Sequence, residues 1–205
     1  MTRSPLPRFA LGDPIPAPTA SDEMRRRLAT RRSASAQALT GPGPTSDQID
    51  DILSLAARTP DHGKLFPWRF VVMGPRSRAD LARALTPLAA RQPNPEKARK
   101  VLDKLAAAPL TILVVSAPIT GAAIPLWEQQ LSAGAVCMNL THAANAFGYS
   151  ASWITDWYSY DREALALFDL VGDEQVAGFI HIGQVAEPPL ERPRPALAAR
   201  TIWMD

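Results

Sequence analysis

Two segments of this 205-residue chain carry residue types suited to holding a phosphorylated, planar group. Arg31-Arg32-Ser33-Ala34-Ser35 sets two guanidinium groups and a hydroxyl in three successive positions. A phosphate is recognised by such a set, through bidentate charge-assisted bonds from arginine and a further donor from serine. Thr59-Pro60-Asp61-His62-Gly63-Lys64-Leu65-Phe66-Pro67-Trp68 ends a helix abruptly and places His62 and Lys64 in the break. It then runs into the apolar stretch Arg69-Phe70-Val71-Val72-Met73. Polar residues in the gap between a helix and a central strand reach a flat ligand lying over the sheet.

The elements that must position these groups follow from periodicity and punctuation. Residues 1–20 hold five prolines and read as an extended arm, with one domain over 21–205. The pattern predicts a helix from Ser21 to Thr30, a Gly/Pro loop over 38–45, and a helix capped by Ser46 that stops before Pro60. A strand is expected over 69–74, helices over 76–88 and 96–106, and a strand over 110–116. That last run, Leu-Thr-Ile-Leu-Val-Val-Ser, is apolar throughout and suits a strand covered on both faces. The longest helical segment, 125–147, carries Ser132-Ala133-Gly134-Ala135, small enough for close helix packing at a neighbouring element or subunit, and Gly148 is its stop signal. Strands over 149–155 and 176–184 flank a helix over 161–170. Strands separated by helices imply a layered α/β arrangement.

Composition narrows the function class. Hydrophobic residues make up 46% of the chain, enough for one core. Lys and Arg number 22 against 20 Asp and Glu, so no general nucleic-acid or acidic-membrane partner is indicated. The single cysteine, Cys137, sits in an apolar helical pattern as a small buried hydrophobe, which fits a cytoplasmic location. His62, His142 and His181 lack metal-ligand spacing, and no Gly-x-Gly-x-x-Gly follows a strand.

Taken in order, these segments resemble the FMN-dependent nitroreductase family, in its short YdjA-type NAD(P)H nitroreductase branch. The likeness covers about 31–184, through Arg31–Ser35, Arg58-Thr59-Pro60-Asp61-His62, Pro67-Trp68, Trp127–Gly134, Ser152-Trp153-Ile154-Thr155 and Gly178-Phe179-Ile180-His181-Ile182-Gly183. It implies an α+β fold of α/β/α layers with a mostly antiparallel central sheet, and a homodimer whose two subunits line each flavin site. It implies FMN as cofactor and NADH or NADPH as electron donor. Arg31, Arg32 and Ser33 match the first flavin-binding motif, Arg58 and His62 the second, and Trp153, Ile154 and Thr155 a third beside the ring. Arg192-Pro193-Arg194 has the form of a C-terminal phosphate contact, aligned more loosely. Ser35 and Phe66 stand where the wider family often has arginine and glutamine.

A flavin performs the electron transfer while the protein binds, orients and tunes it, so no catalytic side chain is named. Arg58 or Lys64 is expected to favour the reduced cofactor. The expected activity is ping-pong reduction of a nitroaromatic, quinone or similar electron-poor acceptor. Flavin handling or dehalogenation on the same scaffold is the alternative. A non-enzymatic basic module, using Arg25–Arg32 for a phosphorylated partner, is a third reading. On the plainer readings, Arg25–Arg27 are a solvated helix face, His62 a loop histidine, Trp153 a core aromatic and Arg192 and Arg194 a polar tail. Trp68 and Trp127 are expected to pack.

Overall fold

A computed structural model describes residues 5–204; residues 1–4 of the expected arm, and Asp205, lie outside the described residues. Residues 5–20 carry no helix or strand. Six helices are described: α1 (Asp22–Thr30), α2 (Ser46–Ala56), α3 (Pro75–Ala89), α4 (Pro95–Ala107), α5 (Leu126–Ala146) and α6 (Arg162–Ala166). Among the described residues, four strands, β1 (Trp68–Met73), β2 (Leu110–Ser116), β3 (Ser150–Ile154) and β4 (Gln175–Gly183), form one sheet in the order β1-β2-β4-β3. Every neighbouring pair is antiparallel. The layering expected from strand–helix alternation is present, and the strand directions are those the family resemblance implied.

Each face of the sheet is covered. Leu110, Ile112 and Val114 of β2 join Ile180 and Ile182 of β4 against α2 and α5. Leu113 and Val115 point the other way, into a core with Leu85, Leu88, Leu102, Leu105 and the aromatic ring group Tyr158, Phe168 and Phe179. With helices on both sides, all seven residues of β2 are buried, which is why the strand reads as an unbroken apolar run. The alternation slips once in β4. Val114 pairs with Gly178 but Val115 pairs with Val176, so Ala177 is an extra residue in the ladder. Val176 faces the Phe179 core and Ala177 the α5 side, the signature of a β-bulge.

Local chemistry sets the helix ends. Thr45, not Ser46, caps α2, because Thr45 and Gln48 form a reciprocal capping box. The Asn139 amide of α5 donates to Leu55 O and Ala56 O at 3.0 and 3.2 Å, closing the other end of α2. Gly148 follows α5 with φ +85°, the left-handed conformation that ends a helix at low cost. The helix expected over 161–170 is only five residues long. Asp169 turns left-handed at φ 61° and the chain bends so that Phe168 enters the core.

The first two turns of α5 carry an uncovered apolar patch: Leu126, Trp127 and Leu131 are each more than half exposed. Trp68 packs as expected, but Trp127 does not. No helix among the described residues is long and apolar enough to cross a membrane.

Candidate functional site

The Arg31 segment lies at the head of β3. Ala34 N donates to Ala151 O at 3.2 Å, and residues 184–194 fold back over the same region through a Thr40–Gln184 bridge. Arg32 Nε donates to Leu190 O at 2.7 Å and stands 3.8 Å from Glu191. Arg194 pairs with Glu191 at 2.9 Å and reaches Arg31 O at 3.5 Å. The two ends of the domain thus bring Arg31, Arg32, Ser33, Arg192 and Arg194 into one neighbourhood. Arg31 donates to Ser33 Oγ at 3.4 Å, and among the described residues it has no carboxylate partner. Together with Arg26, Arg27, Thr30, Asn145 and Ser150, Arg31 and Arg32 line a cleft of about 270 Å³. Arg27 donates to Asn145 O at 3.1 Å, docking α1 on the carbonyl end of α5, while Glu23 pairs with both Arg26 and Arg27. Among the described residues, the unpaired cation in the cleft is therefore Arg31. Burial first, and the Arg31 charge second, hold His142 below the ordinary histidine range.

Trp153, Ile154 and Thr155 lie at the foot of β3, about 13 Å from its head at 3.3 Å per residue. The Trp153 indole donates to Ala177 O at 3.1 Å and stays 40% exposed. It is not the core aromatic of the plainer reading. Ile154 packs on the Phe179 core, and Thr155 Oγ1 accepts from the Tyr160 hydroxyl at 3.3 Å.

The second predicted motif is divided between the two ends of α5. Arg58 shares a cleft of about 390 Å³ between α1 and α5 with Arg27, Asn139 and His142. His62 instead pairs through Nδ1 with Glu128 Oε2 at 2.8 Å, in the first turn of α5. Positions 128 and 142 are about 21 Å apart along that helix at 1.5 Å per residue. One chain therefore holds His62 and the Arg31 group at opposite ends of α5. The loop bearing His62 is firmly shaped. Asp61 accepts from Leu65 N and Phe66 N at 2.5 and 3.1 Å. Ser132 Oγ donates to Pro60 O at 2.9 Å and accepts from the Trp68 indole at 3.3 Å. Gly63, Lys64 and Phe66 are left-handed, at φ 83°, 57° and 48°. For Lys64 and Phe66 that conformation is strained, and Phe66 is held 62% exposed.

Sequence reasoning does not reach Glu128 as the partner of His62, nor Leu190 and Glu191 as supports of Arg32. Glu128 carries one usable signal, an acidic residue in a first helical turn; the carbonyl of Leu190 carries none.

A family model described as "Nitroreductase family" matches residues 28–184. The chain belongs to the nitroreductase family. Among curated relatives of this nitroreductase-family chain, Escherichia coli K12 YdjA, provisionally named an NAD(P)H nitroreductase, is 32% identical over 157 residues, covering 76% of this chain and 85% of that protein. A Haemophilus influenzae protein with the same provisional description is 34% identical over 158 residues, with the same coverage. Among solved structures, a nitroreductase-like family protein from Bacillus cereus superposes with a TM-score of 0.79 at 20% identity, over 92% of this chain and 100% of that one. A Desulfovibrio desulfuricans protein described as a nitroreductase, in complex with FMN, gives 0.70 at 20% identity, over 91% and 99%. These structures show the nitroreductase-like fold that the resemblance implied. The family match begins at residue 28, so the arm and most of α1 precede it.

Proposed function

We propose that this nitroreductase-family chain is an FMN-dependent NAD(P)H oxidoreductase that reduces nitroaromatic, quinone or similar electron-poor acceptors, acting as a cytoplasmic homodimer. The relatives named as NAD(P)H nitroreductases and the FMN-bound fold neighbour support the reading. One observation carries it. Arg31, with a serine hydroxyl beside it and no carboxylate on it among the described residues, stands at one end of β3, and a part-exposed indole stands at the other. Those are the donor set for a phosphate and a surface for a flat ring, carried at the two ends of one strand.

The residues present fit the group. Arg31 and Ser33 would hold the phosphate, with Arg32 and Arg194 framed beside them by Leu190 O and Glu191. Trp153, Ile154 and Thr155 would flank the ring. His62 would reach it from the second subunit, since one chain places His62 far along α5 from Arg31, whereas Arg58 already lies at the Arg31 end of that helix, beside Arg27 and His142. The exposed apolar patch of α5, with Leu126, Trp127 and Leu131, is the surface such a dimer would cover. FMN, when bound, supplies the hydride and electron chemistry, receiving from NAD(P)H and giving to the acceptor in separate visits. Phe66, on the same loop as His62 and so from the second subunit, would bound with Trp153 an apolar slot for both visitors. Arg58 or Lys64 provides the positive charge that favours the reduced cofactor; an unchanged midpoint potential in both Arg58→Met and Lys64→Met would remove that role.

The test is a visible absorption spectrum of the purified protein, followed by NADH and NADPH oxidation with a nitroaromatic acceptor. A yellow protein that oxidises either donor is expected. Colourless protein that cannot be reconstituted with FMN would end the reading.

A further inference from the structure

We propose that Gly178 is a positioning residue: by having no side chain it lets the Trp153 indole seat its N–H edge on β4, which fixes the part-exposed ring as the platform on which a flat ring stacks. The inference rests on the FMN reading above and adds what sets the platform.

Trp153 pairs with Ile180 in the β3–β4 ladder and shares the α5 side of the sheet with Ala151 and Ile180. Its ring leans diagonally across β4 onto position 178. A Cβ built there would fall inside the contact distance of Trp153 Nε1 and Cδ1 and lie 3.2 Å from Cε2. The requirement comes from the indole and not from the backbone, because Gly178 is not among the residues with positive φ. Alanine is therefore conformationally allowed at 178 and excluded only by the ring above it.

Two further features hold the indole in this position. Backbone pairing of β3 ends at Ile154 opposite Phe179, and beyond that point the Trp153 N–H bonds Ala177 O at 3.1 Å. Ala177 is the extra residue of the β4 bulge, a device that re-aims a strand locally. The corner is also left without a roof. The N-terminal end of α5 is tied to the β1 side through Ser132 and Trp68, and its C-terminal end to the head of β3 through Asn145 and Tyr149. The helix thus crosses the sheet diagonally and leaves the foot of β3 open. An indole fixed along one edge, seated on glycine and part-exposed is a rigid stacking surface with little ordering left to lose on binding.

The test is Gly178→Ala, read in two ways. Indole N–H resonances of the five tryptophans are recorded on ¹⁵N-labelled apoprotein, with the Trp153 signal assigned through Trp153→Phe. In Gly178→Ala that signal should move and exchange faster with solvent, while the other four stay. FMN affinity, by fluorescence titration, should fall by about 2- to 12-fold, the range of one lost aromatic stacking contact. The double variant Trp153→Ala/Gly178→Ala should bind FMN as Trp153→Ala does, because the added methyl then meets no ring. Additive losses, or an unmoved indole signal, would overturn the proposal. If Gly178→Ala fails to fold, rescue by Trp153→Ala supports it and failure of the double variant refutes it. A wild-type protein that binds no FMN would instead remove the functional reading, and the apoprotein indole signal separates the two cases.

Discussion

His181 and Thr111 face each other across the β2–β4 ladder, with Nδ1 and Oγ1 2.7 Å apart and neither side chain reaching solvent. Among the described residues His181 Nε2 has no partner, and neither does Nε of the nearby buried Arg78, whose other bonds run to Leu105 O and Ala106 O at 3.1 and 2.8 Å. Burial, and then the Arg78 charge, push His181 down to about 4 from 6.5. The native state refuses a proton that the unfolded chain accepts between those values. Stability from this residue is therefore complete above pH 6.5 and is lost as pH falls towards 4, by about 3 kcal/mol at most. Urea unfolding of wild type and His181→Gln across that window should show the wild type losing more stability on acidification. Parallel curves would remove His181 as the cause.

Arg69 binds Glu174 through two bonds of 2.7 and 2.6 Å and also donates to Asp169 O at 2.7 Å. This ties the loop before β4 to β1. Glu174 is 12% exposed and Arg69 36%, so truncating Arg69 strands a carboxylate that water only partly reaches. Arg69→Ala should cost about 1–2 kcal/mol, discounted for the exposed arginine. The Arg91–Glu163 pair has similar geometry, at 2.8 and 2.9 Å, but stands in solvent, and Arg91→Ala should leave the denaturation midpoint unchanged. Equal effects in the two variants would show that burial is not what separates them.

How far the sequence discloses the molecule depends on whether a feature is local. The β2 run announces a doubly covered strand because its own seven residues are apolar, and Gly148 marks the end of α5 because its own φ is positive. Thr45-x-x-Gln48 was readable as a cap and is passed over for the adjacent Ser46. Strand direction is not local, and the antiparallel order came from family likeness alone. Arg78 looks like one surface arginine among several in its stretch, yet it is 1% exposed, because only tertiary packing brings the α4 carbonyls to it. The bulge at Ala177 and the fit of Trp153 over Gly178 depend on the pairing of separate strands, which no window of residues displays.

Arg31 is the cation in the cleft at the head of β3 that no carboxylate neutralises among the described residues. A charged hydrogen bond to phosphate is worth about 1.5–3 kcal/mol, so Arg31→Ala should weaken FMN binding by roughly 10- to 150-fold. Isothermal titration of reconstituted protein checks it. Lysine at 31 should recover part of the loss, as a point charge without the planar fork.

Cys137 is fully buried, and burial pushes its thiol up to about 12. Native protein should give no reaction with a thiol-exchange reagent at mildly alkaline pH, and one thiol per chain after denaturation. Fast labelling of the native state would show that the α5–sheet interface opens.

Arg32 leans on Leu190, a residue 158 positions later, and the Thr40–Gln184 bridge spans almost as much of the chain. During synthesis the corner that holds Arg31 and Arg32 is thus among the last parts of the described fold to assemble. A ribosome-bound chain that has reached only residue 184 has its sheet and both cores encoded but not the segment that steadies the Arg32 guanidinium. The order of synthesis therefore sets the order of assembly here: sheet first, basic corner last.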